Sequence, residues 1–181
     1  MESIKRHNDE FVASGAYKEF ETSKFPDKKI AIVTCMDTRL VTMLPAALGL
    51  KNGDVKMIKN AGGLVVDPYG DSMRSLLVAI YELGVERVMI IAHTNCGVEG
   101  MDGSHFIHIM EKRGIPHATI EALKSEGHDL ENWLSGFTDT EEAVRDSVEL
   151  VRTHPLLPPG ITVDGYVIDT VTGRLNPVEP R

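Results

Sequence analysis

The sequence predicts an α/β fold with a mostly parallel β-sheet core, a short antiparallel edge strand, flanking helices and an N-terminal helical arm. Short apolar segments that predict strands alternate with segments of helical periodicity, which is the pattern of a parallel sheet covered by helices on both faces. A Thr172-Gly173 turn before the last apolar segment predicts a hairpin, and hence the antiparallel edge. At 181 residues we expect a single domain over 1–181, with an arm over 1–25 and a core over 26–181.

Each element is predicted from local periodicity and from its end signals. The predicted strands cover residues 30–34, 55–60, 87–92, 161–168 and 174–178. The predicted helices cover residues 3–20, 40–49, 71–83 and 104–134, the last of these with a hinge at Gly114-Ile115-Pro116, and a final helix ends at His154-Pro155.

Residues that cap or break helices set the expected ends. Gly15 weakens the first helix, because glycine is a poor helix former. We expect Thr42 to cap the second helix, with Pro45 in its first turn and Gly49 at its close. A capping box over Thr138–Glu141 is expected to open the final helix.

Charge and cysteine content limit the class of function. The chain carries 27 acidic and 19 basic residues, a net charge of −8, which argues against nucleic acid or an anionic membrane as a partner. No apolar run approaches the length of a membrane span, and the polar N-terminus lacks the core of a signal peptide. We therefore expect a cytoplasmic protein whose two cysteines stay reduced. Reduced cysteines are more often ligands, catalysts or buried fillers than halves of a disulfide.

Three metal-ligating side chains follow two of the predicted strands. Cys35 comes directly after the first strand, and His93 and Cys96 come after the third. Because parallel neighbours bring their carboxyl ends to one edge of a sheet, two sulfurs and one imidazole could meet there around one ion. This ligand set is typical of zinc, and three protein ligands leave the fourth position open, as in catalytic sites. The alternative is that each cysteine is a small buried hydrophobe.

A carboxylate and a guanidinium follow Cys35 at alternate positions, on one side of an extended chain. Arg39 can hold Asp37 ionised and oriented through a bidentate pair, and Asp37 can then accept a hydrogen bond from a metal-bound hydroxide. A solvated ion pair without a role is the plainer alternative. A phosphatase nucleophile loop is excluded because too few residues separate Cys35 from Arg39, and a thioredoxin-like site because C-x-x-C is absent.

Two further groups are weaker candidates. Gly62 and Gly63 follow the second strand, and their backbone N–H groups can line an anion-binding concavity for the substrate. A strand-to-loop turn without a ligand is the alternative. His105 and His108 could share a helical face and relay protons, although a surface or core position is the more common one for such histidines.

These residues resemble the motifs of the β-class carbonic anhydrases. The family pattern C-x-D-x-R stands here as Cys35-Met36-Asp37-Thr38-Arg39, and H-x-x-C stands as His93-Thr94-Asn95-Cys96. The segment Lys59-Asn60-Ala61-Gly62-Gly63 is similar to the family's R-N-A-G-[NG] segment. The resemblance extends over nearly the whole chain, including Gly173-Arg174-Leu175, and is closest to the short microbial branch.

The resemblance implies one Zn²⁺ ion per chain, bound by Cys35, His93 and Cys96, and a catalytic dyad of Asp37 and Arg39. It implies reversible hydration of CO2 to bicarbonate and a proton by a zinc-bound hydroxide, so that CO2/bicarbonate is the small-molecule substrate. It also implies a homodimer or a higher homo-oligomer in which N-terminal helices embrace the partner.

Two positions depart from the family pattern, and two other functions stay open. Lys59 stands where arginine is usual and Asn95 where aspartate or a small polar residue is common, but neither change removes a ligand. Some members use the same ligands to hydrolyse carbon disulfide or carbonyl sulfide, which makes such a hydrolase the first alternative. The second is a non-catalytic regulatory protein that binds zinc or bicarbonate, and the intact Asp37–Arg39 pair favours catalysis over it.

Overall fold

The computed structural model describes residues 1–181 and has a five-stranded sheet at its centre. The strands are β1 Ile30–Cys35, β2 Val55–Asn60, β3 Arg87–His93, β4 Thr162–Ile168 and β5 Leu175–Val178. They lie in the order β2-β1-β3-β4-β5, with the first four parallel and β5 antiparallel to β4. The predicted fold class, including the antiparallel edge strand, is confirmed.

Helices connect and cover the strands. They are α1 Glu2–Ser14, a 3₁₀ helix Ala16–Phe20, α2 Leu40–Ala47, α3 Asp71–Leu83, α4 Gly103–Lys112, α5 His117–Ser125, α6 Leu130–Leu134 and α7 Thr140–Arg152. The predicted hinge falls between α4 and α5, and a second break before Asp129 separates α6. No helix combines the length and the apolar character that crossing a membrane requires.

Apolar side chains cover both faces of the sheet, because successive residues of a strand point to opposite sides. On one face, a cluster of 17 buried residues joins the strands to α3 and α7. On the other face, Ile32 and Ile91 pack with residues of α2 in a smaller cluster that also contains Cys35 and Cys96. The two cysteines therefore lie against packed core, which restricts the motion of their side chains.

The first helix is shorter than predicted. Gly15 adopts a left-handed conformation, with φ of 74°, and its N–H caps the carbonyl of Val12. A residue in this conformation ends an α-helix, so the chain continues as the separate 3₁₀ helix. Gly15 therefore divides the arm into two pieces.

The predicted cap of the second helix is wrong, although the predicted first residue of this helix is correct. The side chain of Asp37 accepts the backbone N–H of Arg39 at 2.9 Å, which closes a tight turn directly after β1. The helix consequently begins at Leu40, and Thr42 lies inside it rather than at its cap. Pro45 then falls in the helix interior rather than in the first turn, and it gives the Val41 carbonyl no N–H partner.

The N-cap of the final helix lies one residue after Thr138, the N-cap that the capping box predicts. Asp139 is the N-cap, and its side chain accepts the backbone N–H of Glu142 at 2.8 Å. Aspartate is as good an N-cap as threonine, and the sequence offers both side by side. The predicted apolar face is correct, since Val144, Val148 and Val151 are all buried.

Candidate active site

Two neighbouring strands bring three potential metal ligands together. β1 and β3 are adjacent and parallel; Cys35 ends the first and His93 ends the second. Cys96 lies in the loop that follows. The two sulfurs and the imidazole nitrogen all lie within 4.8 Å of one another, and all three residues are buried. The predicted meeting of these side chains at the carboxyl edge of the sheet is thus present in the structure.

The imidazole of His93 presents a free lone pair to this cluster. Its Nδ1 lies 3.0 Å from the carbonyl oxygen of Thr94. A carbonyl oxygen only accepts hydrogen bonds, so Nδ1 carries the proton and Nε2 is the unprotonated acceptor. Nε2 is buried and has no hydrogen-bond partner in the protein. A cation bound between Nε2 and the two sulfurs would satisfy this orphaned atom, and the donor set suits zinc.

The charge state of the cysteines also fits a cation. Burial raises the pKa of the Cys96 thiol, and the nearby Cys35 raises it further. Hydrogen bonds from the backbone N–H groups of Val98 and Glu99 act in the opposite direction. Two thiolates side by side in a buried site need a positive partner, so binding of a divalent ion would release protons here.

Asp37 and Arg39 form a bidentate ion pair at the edge of this cluster. Arg39 donates from Nε to Oδ1 at 3.0 Å and from Nη2 to Oδ2 at 2.8 Å. These hydrogen bonds hold the pKa of the Asp37 carboxyl well below its usual range. The Oδ2 atom lies 3.9 Å from Nε2 of His93, so the ionised carboxylate faces the ligand cluster. The expected pair is present, although the chain makes a turn here instead of the extended path that the sequence suggested.

Arg39 also joins the two loops that supply the ligands. Its Nη2 donates to the backbone carbonyl of Asn95 at 2.8 Å. Asn95 has a positive φ of 55°, a conformation that asparagine tolerates better than most residues. This bond ties the loop after β1 to the loop after β3. No sequence pattern predicts this bond, since the acceptor is a backbone atom.

The glycines after β2 have different surroundings. A Cβ on Gly63 would lie 2.5 Å from the backbone nitrogen of Cys35, and its φ is 72°, so glycine is required there. The N–H of Gly63 donates to the side chain of Asn60 at 2.9 Å and is not free for an anion. The N–H of Gly62 has no such bond. A substrate contact by these glycines stays a prediction, and Gly62 is the better placed of the two.

Two residues hold this loop: Asn60, which the sequence places in the motif segment but without this role, and Ser147, which sequence reasoning missed. Asn60 accepts from Gly63 and donates to Ser72 at 2.8 Å, so it fixes the turn from inside. Ser147 of α7 bonds both the N–H and the carbonyl of Val65, at 2.8 and 2.9 Å. No sequence pattern predicts that a serine inside an amphipathic helix will make such a contact.

The two histidines proposed as proton relays lie outside the cluster. His105 and His108 are on α4 and exposed. His108 lies 4.0 Å from the carboxylate of Glu111, and neither histidine belongs to the group that could hold a metal. A relay through them stays a prediction.

Comparison with known proteins agrees with this geometry. The family model described as carbonic anhydrase matches residues 30–175. A candidate carbonic anhydrase of Bacillus subtilis, YvdA, is 48% identical over 98% of this chain and 90% of its own. A carbon disulfide hydrolase of Acidithiobacillus thiooxidans is 29% identical over 83% of this chain and 77% of its own.

A solved structure matches the whole architecture. The crystal structure of β-carbonic anhydrase isoform I from Trichomonas vaginalis has a TM-score of 0.85 and 35% sequence identity, and the match covers 99% of this chain and 97% of that one. The family match spans every strand that carries a candidate ligand. The chain therefore belongs to the carbonic anhydrase family, in its β class, and is a carbonic anhydrase enzyme.

Proposed function

We propose that this enzyme catalyses the reversible hydration of CO2 to bicarbonate and a proton, with one zinc ion held by Cys35, His93 and Cys96. The observation that carries the proposal is the buried Nε2 of His93, which has no protein partner and faces two sulfurs. An uncompensated acceptor of this kind costs about 1–3 kcal/mol unless a ligand pairs with it. Sulfur and imidazole ligands together favour zinc over calcium or magnesium.

Each residue has a distinct role in this reaction. When bound, zinc would lower the pKa of a water molecule in its open position far below the value in bulk water, which would supply the hydroxide nucleophile. Asp37 accepts a hydrogen bond from the attacking water and orients its lone pair, because an ionised carboxylate is an acceptor only. Arg39 keeps Asp37 ionised and fixed. The free N–H of Gly62 is the candidate donor to an oxygen of bicarbonate.

CO2 is a better candidate substrate than carbon disulfide. Both are linear and apolar, and the same nucleophile attacks either. The relative named as a carbon disulfide hydrolase is 29% identical, against 48% for the relative named as a candidate carbonic anhydrase. The ionised Asp37 beside the ligand cluster favours catalysis over a purely regulatory role.

We also propose a homodimer or a larger homo-oligomer, with residues 1–25 as an arm that docks on a partner. Helix α1 buries none of its side chains, and apolar Ile4, Val12 and Phe20 are 69%, 56% and 56% exposed. An isolated helix of this length is marginal in water, so the arm needs a surface to cover it. A reducing compartment such as the cytoplasm suits two cysteines that must stay free to bind metal.

Metal analysis and two assays test the function. We expect about one zinc ion per chain in the purified protein, and strong loss in Cys35→Ser and Cys96→Ser. The exposed His128 provides a control, since His128→Gln should keep full zinc. Stopped-flow CO2 hydration with a pH indicator should show activity, and sulfide release from carbon disulfide should be far slower. Full zinc in both cysteine variants, or faster turnover of carbon disulfide, would contradict the proposal.

A further inference from the structure

A short turn follows Cys96, whose side chain is buried. The N–H of Glu99 donates to the carbonyl of Cys96 at 3.1 Å, and the N–H of Met101 donates to the carbonyl of Val98 at 3.2 Å. Within this turn, the N–H of Glu99 thus closes back on Cys96 itself, and the side chain of Val98 packs against the buried cluster that contains Cys35 and Cys96. The position of the turn therefore sets the position of Cys96 beside the other two candidate ligands.

A distant segment holds this turn in place. Residues Ser135–Phe137, which we call the ligand strap, connect α6 to α7 and run alongside the turn. The N–H of Gly100 donates to the carbonyl of Phe137 at 2.8 Å, and the N–H of Gly136 donates to the carbonyl of Met101 at 2.8 Å. The hydroxyl of Ser135 accepts the N–H of Gly103 at 3.2 Å. Three hydrogen bonds thus fix the strap to residues 100–103.

The strap approaches the turn so closely that only glycine fits. A Cβ on Gly136 would lie 1.7 Å from the carbonyl oxygen of Val98. The φ of Gly136 is not positive, so the contact, and not the backbone conformation, requires glycine. The ring of Phe137 would lie 3.4 Å from a Cβ on Gly62, and it packs against the cluster that contains Cys35 and Cys96.

We propose that the ligand strap is a positioning element for the metal ligand Cys96. Gly136 fits against the carbonyl of Val98 and Phe137 packs on the ligand cluster, so together they hold the turn, and with it Cys96, in place. The inference rests on the proposed metal site. Groups that orient a metal ligand through hydrogen bonds typically change metal affinity about 10- to 100-fold when they are altered. Neither residue touches the substrate or the metal, so each acts through Cys96.

Gly136→Ala is the most direct probe, because its methyl group would push the Val98 carbonyl away. The matched control is Gly165→Ala in β4, whose Cβ would lie 2.6 Å from Cγ1 of Val144 in the core, away from the turn. Both changes are expected to lower the melting temperature. Only Gly136→Ala should shift the thiolate-to-cobalt absorption band of the cobalt-substituted protein and raise the Kd for zinc about 10- to 100-fold in a chelator competition.

A second pair of variants keeps the test decisive if Gly136→Ala does not fold. Phe137→Ala should shift the band in the same direction, and Phe137→Leu should restore it, because an apolar side chain keeps the strap packed. Equal bands and equal zinc affinity in wild type, Gly136→Ala and Phe137→Ala would overturn the inference and leave the metal site intact. A wild-type protein without any thiolate-to-cobalt band would overturn the metal site and the inference together.

Discussion

The guanidinium of Arg39 binds the carboxylate of Asp37 through both of its oxygens, at 3.0 and 2.8 Å, and donates a third hydrogen bond to the carbonyl of Asn95. One side chain therefore keeps a carboxylate ionised beside the ligand cluster and connects the loops that supply the ligands. A bidentate pair also fixes the direction of the carboxylate, which a single contact would not. Asp37 is thus held as a hydrogen-bond acceptor.

Replacing Asp37 by asparagine tests this role. The amide is nearly the same size, but it presents a donor where an acceptor is needed. We expect Asp37→Asn to keep its zinc and to lose at least about 10²-fold in kcat/KM for CO2, the usual scale for a group that handles a proton. Metal analysis and stopped-flow hydration measure the two quantities. Asp27→Asn is the control, because Asp27 is exposed; equal activity in both variants would reduce the pair to an ordinary ion pair.

Arg39→Lys should also be costly, although it keeps the charge. Lysine cannot make the two parallel bonds to Asp37 and the bond to Asn95 at once. A hydrogen bond to a charged group is worth about 1.5–3 kcal/mol, so the loss in kcat/KM should be at least about tenfold. The exposed Arg113 offers a matched control, Arg113→Lys, which should behave as wild type. Undiminished turnover in Arg39→Lys would show that the bidentate geometry is dispensable.

A stability prediction concerns Ser147, whose hydroxyl serves both the N–H and the carbonyl of Val65 in the core. Ser147→Ala leaves two buried backbone groups without a partner, and we expect it to lower the free energy of unfolding by about 1–3 kcal/mol. Urea denaturation of the metal-loaded protein measures the change. Ser104→Ala, at an exposed position of α4, should alter stability by less than about 0.5 kcal/mol. Similar values for the two variants would contradict the role assigned to Ser147.

The sheet and its ligand-bearing edge could be predicted because their signals are local. The apolar run before Cys35 and the run that ends at His93 indicate strands, and parallel neighbours must bring their ends together. The ends of the helices are harder to predict than the strands. Where Thr138 and Asp139 stand side by side, either can cap, and the tertiary position of α7 selects Asp139.

Long-range contacts between backbone atoms could not be predicted. Gly136 fits against the carbonyl of Val98, which is almost forty residues away in the sequence. No local sequence pattern near either residue predicts this contact. The turn at Arg39 likewise depends on the side chain of Asp37, which accepts the N–H of Arg39, so that Thr42 lies inside α2 rather than at its cap. Such contacts depend on the folded arrangement and not on periodicity.

Removing the arm tests the proposed assembly. Helix α1 has no buried side chain, so deletion of residues 1–20 should leave the core folded. We expect the full chain to sediment as a dimer or larger species at micromolar concentration, and the truncated chain to dissociate at concentrations at least about tenfold higher. Circular dichroism and zinc content serve as controls for the core. A full-length chain that sediments as a 19.9 kDa monomer would contradict the assembly.

The last prediction is the pH profile of hydration. The Arg39 hydrogen bonds hold the pKa of Asp37 well below its usual range, so Asp37 stays ionised and does not titrate between neutral and alkaline pH. The two thiolates of the ligand set cancel the charge of a divalent ion, so water at this site keeps a higher pKa than the value of about 7 found with three neutral imidazoles. Hydration should therefore be weak near neutrality and rise with pH, and the rise should persist at lower amplitude in Asp37→Asn. Measurement of kcat/KM with buffer in excess checks this; a flat profile in zinc-loaded protein would show that ionisation of water at the metal does not control the rate.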